Sequence, residues 1–562
     1  MSIGIEPSRL ARLNLEQTNA GDYRIVIPVH CNIAADTVGR FARSERRHHP
    51  ALQFERADHS VQTYSFAEVD ELATRLAATL RRLGVQKGSR VAVHTGMRPE
   101  TGISHMAIYK LGAIAVTLSQ LYGPDTLAHI LAHSEAEAVI TQDKAWAPMR
   151  ELDFPKLKHR IVVGTAAAGD IGFEDTVAAA APDFVAVETR SDDPALLMYT
   201  SGSTGLPKGI LHGHRILRAY IPSLSLVYNL DVDGDDLVFW SPADWAWVGG
   251  LLDLLLIGWA FGQTVVTSES RFDAAWAFAF MERRGVTHSF FTPTALKRLA
   301  EVERPRQRWP GLRLRVVCTG GEALPGRVLQ WCQDDLQIVC NEFYGLTEVN
   351  HLVGSCQALY PSLPGSMGKA YPGHATSVVD EQGEPVADGE VGEIVAGSDD
   401  ATQFLGYWKD EHRTDELRLA GRWLRTHDLA IRDAAGYFWY KGRSDDLIKS
   451  AGYRIGPSEI EDCLLRHPAV AEAAVVASPD ASRGSIVKAF VRLREGHTPS
   501  EGLTREMQEH VKTRLAAYKY PRQVEYVERF ELTSSGKINR RILREAEEQR
   551  EASVRPGADS SA

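Results

Sequence analysis

The sequence predicts an α/β protein, with a large N-terminal domain of layered helices and mostly parallel sheets and a small C-terminal α/β domain. Three observations carry this reading. Segments of helical period alternate with short apolar runs along the first part of the chain. A polar, glycine-containing segment, KGRSDDLIKSAGYR, interrupts that series just after Tyr440, and a new α/β series follows it. The length of 562 residues corresponds to several domains at roughly 150 residues each, so a single small binding module is excluded.

Taken in order, the elements begin after an N-terminus, MSIGIEPSRLARLNLEQ, in which Glu6 and Glu16 interrupt any apolar run, so no secretory signal is expected. Val69, Leu72, Leu76, Leu80 and Leu83 recur at spacings of three and four, with Ser65 and Glu68 as a capping box and Gly84 as a stop, which predicts an amphipathic helix over 65–83. Arg90–His94 reads as a strand. Tyr109–Thr117 reads as a helix end, Gly112 and another strand, and LAHILAHS followed by AEAVIT repeats the pattern. Leu251–Val266 is the most apolar stretch, yet it carries Asp253 and Gln263 and falls short of the ~20 residues of a bilayer span. It reads as a buried helix leading into a strand. Beyond the segment after Tyr440, Ser458 and Glu461 are expected to cap a short helix, AVAEAAVV and VKAFVRL to form strands, and TREMQEHVKTRLAAY to form a helix. The tail EEQREASVRPGADSSA has too little apolar content to pack and is expected to be disordered.

Formal charge is 63 − 73 = −10, with both signs spread along the chain, which argues against a nucleic-acid partner. Six cysteines, without CxxC pairs, read as reduced structural thiols and point to the cytoplasm. No membrane partner is expected.

In parallel α/β layers, ligands sit beyond the carboxyl ends of strands. The strongest chemical signal lies in such a place: Ala195-Leu-Leu-Met-Tyr-Thr-Ser-Gly-Ser-Thr-Gly-Leu-Pro-Lys-Gly209, an apolar strand, a loop of glycines and hydroxyls, a lysine, and then the helix-like ILHGHRILRAY. Gly202 and Gly205 permit close approach to a phosphate, Thr200, Ser201, Ser203 and Thr204 add donors, and Lys208 adds positive charge. The spacing is not GxxxxGK[ST], so the P-loop NTPase reading fails while its phosphate-binding logic survives. His212 and His214 read as structural, and the basic cluster RFARSERRHHP as a solvated helix face.

This run resembles the phosphate-binding signature of the AMP-forming adenylating enzymes, the superfamily of acyl-CoA synthetases, luciferases and peptide-synthetase adenylation domains. Further matches follow in order. Gly320-Gly-Glu-Ala-Leu-Pro325, with Gly320, Gly321 and Glu322, is similar to the family's adenine-contacting turn, and Glu342-Phe-Tyr-Gly-Leu-Thr-Glu348 to its YGxTE element. The resemblance implies that Tyr344 lies along the adenine, with Glu342 and Phe343 among the cofactor-binding residues, that Thr347 binds the α-phosphate and that Glu348 binds Mg²⁺. Asp428 resembles the ribose-binding aspartate, although His427 stands where the family usually has glycine, and Arg443 resembles the arginine beside ribose and phosphate. Asp445 matches the hinge before a mobile small domain. Gly452, Tyr453 and Arg454 fall in a loop similar to the one lining the pantetheine tunnel, and Lys537 in Ser535-Gly-Lys-Ile-Asn-Arg540 matches the adenylating lysine.

The resemblance implies a cytoplasmic ligase using ATP, Mg²⁺ and coenzyme A on a small-molecule carboxylic acid, as a monomer or homodimer. Lys537, Thr204, Lys208 and Glu348 would be catalytic. Trp247, Val248 and Gly249 in Asp244-Trp-Ala-Trp-Val-Gly-Gly250, with Gly345, would border the acyl pocket. Glycine at 345, where acetyl-CoA synthetases carry tryptophan, implies a deeper pocket and a short- to medium-chain acid; a tryptophan there is expected to fill it. An aryl, benzoate-type acid and a carrier protein loaded in trans are the alternatives. The expected organisation is an N-terminal extension over 1–28, the large domain over 29–444, the mobile domain over 445–548 and the tail over 549–562.

Overall fold

The computed structural model describes residues 5–554 apart from 20–21, 151, 153, 182, 201–206, 445–447, 451–452, 481–482, 516–517 and 533–537. It divides into two units, the first holding residues up to 376 with 396–424 and 435–437, the second holding 377–395, 425–434 and the chain from 438 onward.

The first unit contains an eight-stranded sheet in the order Gly406–Tyr407, Lys208–Gly213, Pro194–Thr200, Ile114–Thr117, Arg90–His94, Ala138–Gln142, His159–Val163, Ile171–Gly172. Every pairing from Pro194–Thr200 outward to Ile171–Gly172 is parallel. Lys208–Gly213 pairs antiparallel on both of its edges. A second sheet in this unit has parallel strands Val339–Tyr344, Val316–Gly320, His288–Phe291, Val238–Trp240, Thr264–Ser268 and Pro50–Glu55 side by side. These strands read as apolar runs because both faces are covered; Ile114–Thr117 and His288–Phe291 are buried at every position.

The helix Phe66–Arg82 forms as its spacing predicts. Ser65 Oγ accepts from the Glu68 N–H at 3.2 Å, and Glu68 Oε2 accepts from the Ser65 N–H at 2.7 Å, so both halves of the capping box are made. Gly84, at φ +90°, ends it. Leu251–Ala260 is helical and buried and leads to the strand Thr264–Ser268. Among the described residues no helix is long and apolar enough to cross a membrane. Ile5, Leu13, Leu15 and Ile25 of the N-terminal segment form a small core with Leu230 and Ala401. All six cysteines are buried, free thiols.

In the second unit Val470–Asp480 and Gly484–Leu493 pair antiparallel, and Gln523–Tyr526 adds in parallel. Ile448, Ile455, Ile460, Leu464, Val475 and Val491 are among its core residues.

Four local expectations are corrected. Lys208–Gly213 is a strand, and the helix begins only at Arg215, because the apolar spacing of ILHGHRILRAY spans both elements. The helix Pro457–Leu465 has Gly456 as its N-cap with no side-chain cap; Ser458 lies inside it, and Glu461 instead accepts from Val475 N–H at 2.8 Å and pairs with Arg540 at 2.6 Å. The segment after Tyr440 is not only polar, since Ile448 and Ile455 sit opposite each other in a hairpin and are fully buried. The tail is helical through Val554 as part of Arg540–Val554, while 555–562 lie outside the described residues.

Charge pairing explains that last helix. Lys488, buried on its strand, places Nζ 2.7 Å from Glu547 and 2.9 Å from Glu525, and Ser478 Oγ donates to Glu547 at 2.7 Å. Arg550 reaches Glu525 at 2.7 Å and Glu547 at 2.8 Å. Hydrogen bonds from Arg550, opposed by burial and joined by Lys488, hold the Glu525 carboxyl at about 2. Its folded value lies below the unfolded 4.5, so its contribution is present above pH 4.5 and is lost as pH falls toward 2. Amide protection of Arg540–Val554 should therefore be flat from pH 5 to 8 and fall progressively on acidification below the unfolded carboxylate range. Lys488→Met, which takes from buried Glu547 the nearer of its two cations and leaves it Arg550, should cost this unit about 1–3 kcal/mol in chemical denaturation, less than a fully unpaired buried charge.

Candidate active site

Strand pairing positions Lys208, the lysine of the expected phosphate loop. Pro194–Thr200 and Lys208–Gly213 pair antiparallel with Thr200 opposite Lys208, so the two ends of the loop are held together by backbone hydrogen bonds. Ser201, Gly202, Ser203, Thr204 and Gly205 lie outside the described residues. The helix Pro124–Ser134 braces the loop's flanks: His129 Nε2 lies 3.1 Å from the Pro207 carbonyl oxygen, and His133 Nδ1 lies 2.9 Å from Tyr199 Oη. His212 and His214 are buried, and desolvation depresses each imidazole to about 4, which fits their structural reading.

Lys208 Nζ donates to Glu348 Oε1 at 2.8 Å and to Tyr407 Oη at 2.7 Å, and Tyr407 Oη donates to the same Glu348 oxygen at 2.6 Å. Nζ also lies 4.3 Å from the Tyr407 ring centre. Burial raises the Glu348 carboxyl, but the Lys208 charge and hydrogen bonds from Lys208 and Tyr407 outweigh it and hold the group below its ordinary value. Glu348 is thus an anion at neutral pH. Tyr407 escaped the sequence reading; its only signal is the short GYW run at the edge of the same sheet.

The second sheet presents the other half. Val316–Gly320 and Val339–Tyr344 run parallel with Thr319 opposite Glu342 and Gly320 opposite Phe343. Glu342, Phe343 and Tyr344 therefore form the end of the strand Val339–Tyr344. A Cβ on Gly320 would meet the Phe343 ring at 2.7 Å, so only glycine lets that ring cross. Gly321, at φ +88°, turns the chain out of the sheet. Glu342 Oε1 accepts from the Leu324 N–H at 3.1 Å, tying the Gly320–Pro325 turn to its neighbouring strand, and Glu322 accepts from Thr294 Oγ1 at 2.8 Å. Beyond Tyr344, Leu346 N–H donates to the Val349 carbonyl at 2.8 Å, closing the turn that carries Thr347 and Glu348.

Near the expected acyl pocket, Trp247 packs edge-on against Tyr122 with ring centres 5.8 Å apart. Val248 opens a short helical turn, and a Cβ on Gly249 would approach Phe290 to 2.4 Å. Half-buried Asp244 anchors this segment by accepting from Ser119 Oγ at 2.6 Å and from the Ala246 N–H at 3.0 Å. At Gly345 the sequence expectation is corrected: a Cβ there would sit 1.7 Å from Asn350 Oδ1. Asn350 already occupies the direction a side chain would take, so a tryptophan at 345 would displace Asn350 instead of filling open volume. Asn350 is a second residue the sequence reading missed.

In the second unit Asp428 is buried and opposite Arg443 in an antiparallel pair, with Arg443 Nη1 3.6 Å from Asp428 Oδ1. Tyr440 Oη donates to Asp428 at 3.1 Å. His427, where the family has glycine, takes φ +60°, the left-handed conformation glycine suits. Glu393 offsets this: it accepts from His427 N–H at 2.8 Å while pairing with Arg425 at 2.6 Å. Tyr453 and Arg454 lie on the strand Tyr453–Ile455. Asp445, Gly452 and Lys537 lie outside the described residues.

No group of three or more His, Cys, Asp or Glu among the described residues could hold a metal. Among the described residues Glu348 alone sets a mostly buried anionic oxygen beside Lys208, a donor that suits Mg²⁺, which commonly takes one or two carboxylates and completes its shell with phosphate and water.

Residues 40–408 match the AMP-binding enzyme family, and residues 459–537 match the AMP-binding enzyme C-terminal domain. The chain is 33% identical over 530 residues to the uncharacterized acyl-CoA ligase YtcI of Bacillus subtilis, covering 94% of this chain and 98% of that protein. It is 34% identical over 537 residues to the mitochondrial acyl-coenzyme A synthetase ACSM4 of Homo sapiens, covering 93% and 91%. The crystal structure of the anthranilate CoA ligase AuaEII in complex with anthranoyl-AMP is similar with a TM-score of 0.83 at 29% identity, covering 94% of this chain and 99% of that one.

The ion pair makes a signed prediction. Because the folded Glu348 pKa lies below 4.5, its share of stability is present above pH 4.5 and is lost as pH falls. In Lys208→Met the opposing charge is gone, and burial, the largest influence, is resisted only by the Tyr407 hydrogen bond and a backbone bond, so the folded pKa should rise above the unfolded one. That variant should lose about 3–5 kcal/mol at neutral pH. It should recover part of the loss as pH falls below the raised pKa, reversing the parent's trend in denaturant midpoints.

Proposed function

This chain belongs to the AMP-binding enzyme family and is an AMP-forming acyl-CoA ligase, and from that premise we propose that it activates a short- to medium-chain carboxylic acid in a site built on Lys208, Glu348 and Lys537. The observation that carries the site is the meeting of Lys208, Glu348 and Tyr407 from distant parts of the chain beside the two ends of the phosphate loop.

A carboxylic acid is inert to thiols at neutral pH because hydroxide is a poor leaving group. ATP supplies a better one. The substrate carboxylate attacks the α-phosphorus, and pyrophosphate leaves; the carboxylate then carries AMP in anhydride linkage. Lys208, Thr204 with the N–H groups of its loop, and Lys537 offset the negative charge that gathers as two anions meet. Thr347 holds the α-phosphate, Tyr344 and the Gly320–Glu322 turn hold the adenine, and Asp428 with Arg443 orients the ribose. Glu348 would hold Mg²⁺, which when bound neutralises phosphate charge. The small domain then turns about Asp445, Lys537 withdraws, and the segment of Gly452, Tyr453 and Arg454 borders the path of the CoA thiol. Thiolate attack on the acyl carbon expels AMP and yields the thioester.

Acids of about four to eight carbons are proposed, with specificity rising roughly fourfold per methylene at about 0.8 kcal/mol each until the pocket is full. An aryl acid is the second reading. It is supported by the aromatic contacts Phe290–Phe343 and Phe343–His351, with ring centres 6.0 and 4.4 Å apart, and by the likeness to an anthranilate CoA ligase.

Lys537→Ala should slow pyrophosphate exchange by roughly 10² or more, the scale of a lost transition-state contact, while a chemically prepared acyl adenylate still reacts with CoA. Exchange within about tenfold of the parent would remove Lys537 from the adenylation step. Asp445→Pro, which fixes φ near −65°, should leave one half-reaction intact and abolish the overall reaction. Equal loss of both would remove Asp445 as the hinge.

A further inference from the structure

We propose that the acid carries a hydroxyl or amino substituent, received at the inner end of the acyl pocket by the Tyr220 hydroxyl and the Asn350 side-chain carbonyl. The proposal rests on the acyl-CoA ligase reading and on Gly249 and Gly345 bordering the pocket.

Packing links those borders to Tyr220. Gly249 abuts Phe290, Phe290 packs on Phe343, Phe343 meets His351 edge-on, and His351 meets Tyr220 edge-on at 4.8 Å. From the Gly345 side the same place is reached through Asn350, whose Oδ1 fills the direction of the missing Cβ. Tyr220, Asn350 and His351 are buried, at 0%, 4% and 0% exposure.

Two polar atoms there lack partners. Asn350 Oδ1 and Tyr220 Oη are buried, and neither has a hydrogen-bond partner among the described residues. The Tyr220 hydroxyl and the Asn350 amide are close enough to interact, yet they do not close a bond of normal geometry. Other fully buried tyrosines do close one: Tyr109 with His105, Tyr199 with His133, Tyr228 with the Asp253 carbonyl and Tyr371 with the Ser355 carbonyl. Leaving a buried donor or acceptor unmet costs its full desolvation, so such atoms call for an explanation. The pair presents one acceptor, Oδ1, and one hydroxyl that can donate. A substrate hydroxyl meets both at once, and an amino group can donate to Oδ1.

His351 is the support of this arrangement. Its Nε2 lies 3.1 Å from Asp253 Oδ1 and its Nδ1 lies 3.1 Å from Ser223 Oγ, so both ring nitrogens are committed and the ring is locked against Tyr220. A purely apolar acyl tail would leave Oη and Oδ1, already buried, without a partner. A site built to bond a substrate hydroxyl therefore discriminates against the analogue lacking it.

The test compares kcat/KM, by AMP release with free CoA, for benzoate against its 2-, 3- and 4-hydroxy and amino derivatives, and for hexanoate against 6-hydroxyhexanoate. At least one substituted acid should exceed its parent by about tenfold or more, and Tyr220→Phe and Asn350→Ala should each bring that ratio close to one. The melting temperature of Tyr220→Phe should be no lower than the parent's, because the hydroxyl removed has no protein partner. A preference for unsubstituted acids throughout, a ratio untouched by Tyr220→Phe, or a clear loss of melting temperature in that variant would overturn the proposal. A water molecule resident between Oη and Oδ1 gives the first of these results. Absence of AMP release with every acid would instead overturn the ligase reading beneath it.

Discussion

A lysine and a glutamate, both mostly withdrawn from water, hold the first unit's chemistry in place. Lys208 begins the second strand of a hairpin, Glu348 follows the last parallel strand of the other sheet, and Tyr407 sits on an edge strand next to the hairpin. Either charge alone would be expensive at that depth, so the chain ends that carry them are constrained to meet. The hydroxyl of Tyr407 bonds both, and its ring faces the ammonium, so orientation is set as well as distance. Parallel strands aim their carboxyl ends into the same region, which is why Thr200, Gly320 and Tyr344, far apart in sequence, all end strands there.

The second unit uses the same economy with one carboxylate. Glu393 bonds the Arg425 guanidinium and the His427 amide, the two positions flanking Thr426, and the stretch of strand so fixed delivers Asp428 opposite Arg443. A histidine in a left-handed conformation is strained by roughly 1–2 kcal/mol, and the charge-assisted bond from its own amide offsets that cost. The departure from the family's glycine is thus accommodated locally.

What could be read from the sequence was local or periodic. The helix Phe66–Arg82 announced itself because its cap residues are three apart and its apolar residues keep helical spacing. The glycine and hydroxyl run before Lys208 stood out because those residue types side by side suit a phosphate, and the structure adds the pairing of Thr200 with Lys208 at its two ends. Tyr407 was not, since it reaches Lys208 across 199 positions and nothing in a tyrosine's neighbours states what its hydroxyl will touch. Asn350 was hidden for a different reason. A glycine at 345 signals missing volume, while the side chain that takes up that volume comes from five residues further on. The C-terminal helix was missed because its charges read as solvated, whereas Glu547 is spent on a buried lysine. The hairpin strand Lys208–Gly213 was merged with the helix after it because both are apolar at compatible spacing.

The placement of the cysteines matters for an enzyme of this kind. Acyl adenylates and thioesters are both acyl donors, and the nucleophile each reacts with most readily is a thiolate. Every cysteine of this chain is buried as a free thiol. Burial pushes the Cys356 thiol up to about 12, and raises those of Cys31, Cys318 and Cys463 as well, so at neutral pH they stay protonated and away from solvent. The protein thus makes two acylating agents while offering them no competing sulfur nucleophile of its own, and self-acylation is confined to the slower reaction with surface amines.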